Sequence, residues 1–578
     1  MSCSSSEFSV IRGDLDINRN FPPKIVDASV PISNMQIKIV RKGFNYITGL
    51  INIAVENIVR SLILKDSVLL GSLTIRDTKV SSYRMAANRS WFRLMESNNL
   101  LWQSRDFSID LSGKLSGRIQ SLKIEELPFQ VSFDSLDFAA GAEIFEKNAR
   151  LYLVFASCNL KYNHMELTFS PEKLRPHQTS TINRQKDVFD DHFRRHLSNE
   201  LCDSIKKFVD GFNQQAARTP VNDPLFNVTS RDFDALKLAL SDIFPPKAVK
   251  GYASVLENLY LDFGLVRNPV VSYDTINLFS TGRLSWMGSG GGPPISSSNP
   301  PDTTLARSYE KMAYVTVSDH VFNSFLYHIH RRGNFDVKVN RKEMPSLANL
   351  LRFDCHENEI CMNYLFPEFA AEYFDHSMEI KFSSTPKIPR VVVNQREFLL
   401  LYTAKIVLSA VKRSKTKVLL EIDVSTKTEF NLWFNNSLSD ENRSFLNGTC
   451  RVTKFENRLI NSISPVVDQT NMESLNIIAP VILEQMINKA LKRGIPLPNV
   501  GGMSFLNSNL RLLDGKVRLE TDFYFTQSFP YTFVLNWFKG NRKKFFFDVL
   551  DHRLTPSVAG HGQESDHGQR NGDYAAPF

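Results

Sequence analysis

The sequence predicts an α+β protein in which an antiparallel sheet flanked by two long apolar helices occurs twice along the chain. Three observations lead there. Apolar residues recur at three- and four-residue steps in segments long enough for extended helices. Between those segments they alternate with polar residues at period two. The whole order then repeats after a Gly/Pro/Ser-rich stretch. A chain of 578 residues is also long enough for roughly two to four domains.

The first element is a strand, because Met35, Ile37 and Ile39 alternate with Gln36 and Lys38. After Gly43 the period changes. Phe44, Ile47, Ile51, Val55, Ile58 and Leu62 fall on one helical face, widened by Leu50, Ala54 and Val59. At 1.5 Å per residue this helix is roughly 30 Å long, comparable to an extended acyl chain. A helix simply buried on a sheet fits the same pattern. Strands follow, with alternation at Phe107, Ile109, Leu111, Leu115 and Ile119, then Leu127 to Phe133, Leu151 to Phe155 and Met165 to Phe169. A second long helix carries Val188, Phe189, Phe193, Leu197, Leu201, Ile205, Phe208 and Phe212 on one side.

The segment 257–286 is rich in β-formers, and MGSGGGPPISSSNPPDTT reads as a linker. Beyond it the plan returns. KMAYVTV is a strand; Ser318 or Asp319 caps a helix bearing Val321, Phe322, Phe325, Leu326 and Ile329, with Gly333 placed to end it. Alternating strands fill 378–460, one of them with Val418, Leu420, Ile422 and Val424 on a shared face. A last helix near 472–493 carries Leu475, Ile478, Ile482, Leu483, Met486, Ile487 and Leu491, with Pro480 kinking it or marking its first turn. KVRLETDFYF closes the pattern. The predicted division is therefore a polar extension over 1–30, a first sheet-and-helix unit over 31–220, a β-rich middle region with linker over 221–310, a second sheet-and-helix unit over 311–526, and a tail over 527–578.

Composition narrows the chemistry. There are 43 Phe against 16 Tyr and 5 Trp, and rings without a polar handle suit surfaces that meet only hydrocarbon. The net charge of +8 is spread over 69 basic and 61 acidic residues, without the basic stripe a nucleic-acid partner needs. No G-x-S-x-G elbow or phosphate-cradling loop appears, so nothing asks for an enzyme. His192 and His196 have metal-ligand spacing, but position 193 is Phe where the zinc-protease pattern has Glu; no metal and no cofactor is expected. Cys355 and Cys361 beside His356 read as a local disulfide or two thiols rather than a zinc fragment. Acceptor motifs for N-glycosylation lie at Asn88, Asn227, Asn435, Asn442 and Asn447. No apolar run is long enough to span a bilayer, and the first thirty residues lack the apolar centre of a signal peptide.

Four segments, taken in order, resemble the family of bactericidal/permeability-increasing protein, lipopolysaccharide-binding protein, and the phospholipid and cholesteryl ester transfer proteins. They are IVRKGFNYITGLINIAVENIV, KMAYVTVSDHVFNSFLYHIHRRG, LFPEFAAEYFDHSMEIKFSSTPKIPRVVVNQ and RGIPLPNV, the last with Ile495 where the family carries Phe. The resemblance covers about residues 31–526. It implies that the two sheet-and-helix units are elongated antiparallel barrels and the middle region a central sheet joining them into a boomerang, each barrel holding a phospholipid-like ligand in an apolar tunnel. The implied lining is Phe44, Ile47, Ile51, Val55, Ile58, Phe193, Leu197 and Leu201 in the first barrel. In the second it is Phe322, Phe325, Ile329, Ile482, Met486 and Ile487. The resemblance further implies a disulfide between Cys158 and Cys202 and an extracellular protein. It departs from the family in lacking a secretion signal and in its thin basic tip, where Lys114, Arg118 and Lys123 are diluted by Glu125 and Glu126.

The function expected is non-catalytic binding of phospholipid or lipopolysaccharide, the latter in innate defence, with a membrane surface as a further partner. The alternatives are a carrier shuttling lipid between membranes or particles, and an adaptor whose tunnels are filled with side chains. In the tail, Trp537, Phe538 and Phe545 interleave with Lys539, Arg542, Lys543 and Lys544, a pattern that suits an interfacial anchor.

Overall fold

Strand β1 (Met35–Val40) runs directly into helix α1 (Arg41–Arg60), without a side-chain cap at Val40. Gly43 is needed at this junction, because a Cβ there would meet the Met312 carbonyl oxygen at 2.7 Å. The structure, a computed structural model, describes residues 33–525 except 70–71, 87–88, 96–97, 120–121, 171–175, 219–220, 225–230, 287–309, 333–334, 343, 345–346, 355–360, 414, 437–443, 470–471 and 497–502. The expected extension, linker and tail, and Gly333 as helix terminator, therefore lie outside the described residues.

After α1 come β2 (Ile63–Leu64), β3 (Ser67–Leu69), β4 (Leu73–Arg84), β5 (Ser90–Met95), β6 (Asn99–Ile119), β7 (Leu122–Lys147), β8 (Arg150–Lys161) and β9 (His164–Phe169). They form an eight-stranded antiparallel sheet in the order β2-β4-β6-β7-β8, with β3 on β4, β5 on β6 and β9 on β7. The alternation read from the sequence is what places Ile109, Leu111, Leu115, Val131 and Phe133 on the buried face. Helices α2 (Pro176–Asn183) and α3 (Lys186–Arg218) follow.

The next stretch holds β10 (Asn222–Pro224), two helices the sequence reading did not find, α4 (Arg231–Leu240) and α5 (Pro246–Glu257), and then β11 (Leu259–Asp262), β12 (Val270–Val271), β13 (Thr275–Ser280) and β14 (Arg283–Trp286). The second half contains β15 (Ala313–Ser318), α6 (Asp319–Arg331), β16 (Val337–Asn340), α7 (Met362–Leu365), α8 (Pro367–Tyr373), β17 (Ser377–Ser384), β18 (Arg390–Val393), β19 (Phe398–Lys412), β20 (Lys415–Asn436), β21 (Ser444–Ser462), α9 (Glu473–Arg493), β22 (Ile495–Pro496), β23 (Met503–Leu513) and β24 (Lys516–Phe525). A seven-stranded sheet runs β16-β17-β19-β20-β21-β22, with β18 on β19.

A six-stranded sheet in the order β12-β13-β1-β15-β24-β23 joins the halves. It draws one strand from the first predicted barrel, two from the middle region and three from the second. Strand β1 sits between β13 and β15, with Ile37 opposite Leu278 on one side and Val315 on the other. The fold is thus α+β with antiparallel sheets.

Three local expectations change. Ser318 occupies the N-cap position of α6 but makes no capping bond. Its hydroxyl instead donates to Asn34 Oδ1 at 3.3 Å, linking the entries of the two halves. Val418 does not share the face of Leu420, Ile422 and Val424. A bulge between Leu408 and Ser409 puts Ser409 opposite Val418 and leaves Leu419 with no opposite residue on β19; Leu419 is 1% exposed and Val418 43%. In α9, Pro480 lies inside the helix rather than at its start, and Gly494, at φ +90°, ends it.

Candidate functional site

The buried stripe of α1 is rotated from the one the sequence suggests. Phe44, Val55, Ile58 and Val59 are buried, but so are Thr48 and Asn52, while Ile47 and Ile51 are only half-buried. The polar members are satisfied. Thr48 Oγ1 donates to the Phe44 carbonyl at 2.7 Å, and Asn52 Oδ1 accepts from Ser90 Oγ at 2.7 Å and Trp102 Nε1 at 3.3 Å. Phe44 packs with Leu94, Ile144, Val271 and Ile276, not against open space. Farther along, Val55, Val59, Trp102, Phe107, Phe138 and Leu201 leave a cavity of about 10 Å³, room for about one water molecule and none for an acyl chain.

Helix α3 contributes Phe193, Leu197 and Leu201, all buried, with the Phe193 ring 5.5 Å from that of Phe129. Its far end buries Val209 and Asn213 rather than the expected Phe208 and Phe212. Asn213 shows why. Strand β8 ends the sheet order and offers unpaired backbone groups. Asn213 Oδ1 accepts from Leu153 N–H at 2.9 Å while its Nδ2 donates to the Leu153 carbonyl at 2.7 Å. The Cys158–Cys202 disulfide fastens the same strand to the same helix.

The second half repeats this device without the disulfide. Asn488 of α9 accepts from Cys450 N–H at 2.6 Å and donates to the Cys450 carbonyl at 3.1 Å, so α9 lies along β21 as α3 lies along β8. Glu484 Oε1 accepts from Val452 N–H at 2.7 Å. Burial and nearby Glu484 push the Cys450 thiol up to about 11, which keeps it protonated and unreactive at neutral pH. Neither asparagine was legible as a clamp in the sequence, though each is a lone Asn in an apolar helical stripe.

From Cys450 an apolar strip crosses the sheet to α6. Cys450 stands opposite Phe430, whose ring is 6.1 Å from Phe398, and Phe398 is 5.3 Å from Phe322 of α6. Leu400 and Leu432 flank these rings. The apolar row of α9 differs sharply from that of α3. Leu475, Ile478, Ile482, Leu483, Met486 and Ile487 are all half-buried, and the fully buried residues of this helix are Ala490 and Leu491. Phe325 and Ile329 do not join Phe322. They pack on Phe233, Leu256 and Tyr252 of α4 and α5, the helices the sequence reading did not anticipate.

Residues 253–525 match the LBP / BPI / CETP family, C-terminal domain. That stretch, a little under half of the chain, is similar to the C-terminal domain of the family. A bactericidal permeability-increasing protein of Sebastes schlegelii is 23% identical over 295 residues, a match that covers 50% of this chain and 58% of that relative. The crystal structure of a lipopolysaccharide binding protein aligns with 86% of this chain and 99% of its own, at 16% identity and a TM-score of 0.48. That of Takeout 1 from Epiphyas postvittana aligns with 31% of this chain and 92% of its own, at a TM-score of 0.24. The LBP/BPI/CETP family consists of lipid-binding and lipid-transfer proteins.

Three other sets of residues expected from the sequence or the family likeness can now be placed. At the β6–β7 hairpin, Lys114 pairs with Asp77 at 3.9 Å and Glu126 at 3.6 Å, and Lys123 pairs with Glu125. Arg118 is exposed. Two of the three cations expected at this tip are therefore paired with acids. Among the glycosylation motifs, Asn447 is corrected. It is buried, and the Nδ2 that would carry a glycan donates to the Leu491 and Lys492 carbonyls at 3.1 and 2.9 Å. Asn435 is exposed at the end of β20, while Asn88, Asn227 and Asn442 lie outside the described residues.

His192 and His196 stack at 4.0 Å, and His192 Nε2 meets Ser67 Oγ at 2.8 Å. Burial and the neighbouring His196 lower the His192 pKa to about 4, so the ring is neutral, and no metal-ligand cluster occurs among the described residues. Cys361 is disulfide-bonded, which removes it as a zinc ligand.

Proposed function

We propose that this protein binds a phospholipid-like molecule through the strip between α6 and α9, without catalysis. The observation that carries the reading is the contrast between the helices. Phe193, Leu197 and Leu201 of α3 are covered by protein, whereas six apolar residues along α9 remain half-buried, and the helix is tied at Cys450 to the strand position opposite Phe430. Burying a CH₂ is worth ~0.8 kcal/mol, so acyl chains gain there about what they lose on leaving a bilayer. Near-neutral exchange of this kind is what a carrier requires. The paired lysines at the first tip favour carriage over lipopolysaccharide recognition.

The cavity of about 10 Å³ beside Val55 and Leu201 favours side-chain filling, rather than lipid, at that part of the first half. Disulfide bonding at Cys158, Cys202 and Cys361 suits an oxidising, secretory route. Mass spectrometry of organic extracts from purified protein tests the proposal. Co-purifying phospholipid should be lost in Met486→Asp, where an unpaired carboxylate would face the chains, and kept in Ile51→Asp. Extracts free of lipid, or lipid retained by Met486→Asp and lost by Ile51→Asp, would reverse it.

A further inference from the structure

Around the β19–β20 turn, at the end of the seven-stranded sheet, charge and apolar surface are combined in a way the lipid site does not use. The turn reads KRSKTK from Lys412 to Lys417, four cations in six positions. Two of them are held. Lys412 pairs with Asp375, and Lys417 pairs with Glu372 at 3.4 Å while lying 5.3 Å from the Tyr373 ring. These pairs dock the end of α8 against the turn. Arg413, at φ +45°, and Lys415 are exposed and carry no ion pair among the described residues.

Exposed apolar side chains lie on the segments that adjoin this turn. Phe374, between the two residues that grip Lys412 and Lys417, is 60% exposed. Val418, turned outward by the bulge, follows Lys417 directly. Ile463 donates its N–H to the Leu419 carbonyl at 2.9 Å and is 42% exposed; Val466, three residues on, is 68% exposed. Isolated exposed apolar residues are ordinary. Four on segments adjoining a turn with two cations unpaired among the described residues are an interfacial arrangement, in which rings and branched chains enter the headgroup boundary while cations meet anionic lipid.

We propose that Phe374, Val418, Ile463 and Val466, with Arg413 and Lys415, form a docking surface for an anionic membrane. The charge complement selects this occupant: a protein partner or a second copy would leave two like-charged groups to be matched, whereas an anionic bilayer matches them everywhere. The inference stands apart from tunnel occupancy, since docking is read without any lipid being taken up.

The test is co-sedimentation of the full chain with phosphatidylcholine vesicles, with and without phosphatidylserine. Arg413→Asn with Lys415→Gln removes both charges while keeping a residue that tolerates positive φ. Each cation near such a surface contributes ~1 kcal/mol, so this variant should bind anionic vesicles about thirtyfold more weakly. Phe374→Ser with Val466→Ser should lose about tenfold, and circular dichroism matching the parent establishes folding in both cases. The proposal is overturned if the parent ignores anionic vesicles or if the charge variant binds as the parent does. It is equally overturned if the serine variant binds unchanged, or if the patch is occupied by self-association that the serine variant abolishes.

Discussion

Replacing Asn488 by Leu isolates what the helix-to-edge clamp contributes. The side chain keeps its size, but Cys450 loses both partners, an acceptor at 2.6 Å and a donor at 3.1 Å. A buried group left unpaired costs about 1–3 kcal/mol. These two are part-buried, and the new leucine recovers some transfer energy, which brings the expected loss to about 2 kcal/mol. Hydrogen exchange by mass spectrometry reads it locally. Peptides covering Ser444–Ser462 should exchange about thirtyfold faster, because that strand opens at a lower free energy. Gln485→Leu on the exposed side of the same helix is the control and should stay within ~0.5 kcal/mol. If Asn488→Leu exchanges no faster than Gln485→Leu, the asparagine is incidental and packing alone holds α9. Asn213→Leu supplies the counterpart in the first half. There the Cys158–Cys202 disulfide still holds α3 to β8, so the effect on β8 should be smaller until the protein is reduced.

Two further expectations follow from the first half. Cys158→Ser should lower stability by about 4 kcal/mol in urea unfolding, since the bridge closes a sequence separation of 44 residues; an unchanged midpoint would mean that the clamp alone suffices. His192 is held neutral, its pKa lowered from 6.5 to about 4, so the unfolded chain binds the proton first. Its contribution is complete above about pH 6.5 and is lost as pH falls towards 4, and His192→Asn should flatten the unfolding profile across that window. A profile as steep as the parent's would place the titration elsewhere.

Periodicity alone specified most of the framework. Met35–Val40, the α1, α3, α6 and α9 segments, and the long strands from Phe107 to Phe169 emerge from spacing, because a 3.6-residue period and a two-residue period cannot be confused over such lengths. The sequence also marked Cys158 and Cys202 through its family likeness. What it could not specify was which neighbours meet a given side chain. Asn52 looks like a break in an apolar stripe until Ser90 and Trp102, about forty to fifty residues away, supply its partners. Asn447 looks like a glycan acceptor until the end of α9 arrives to bind its amide. Phe325 and Ile329 share a face with Phe322 by spacing, yet α4 and α5 cover them and leave Phe322 to the sheet. The difference between a filled α3 row and a half-covered α9 row is likewise tertiary. Both rows carry the same apolar pattern, and burial is a property of what packs against a helix, not of the residues it presents.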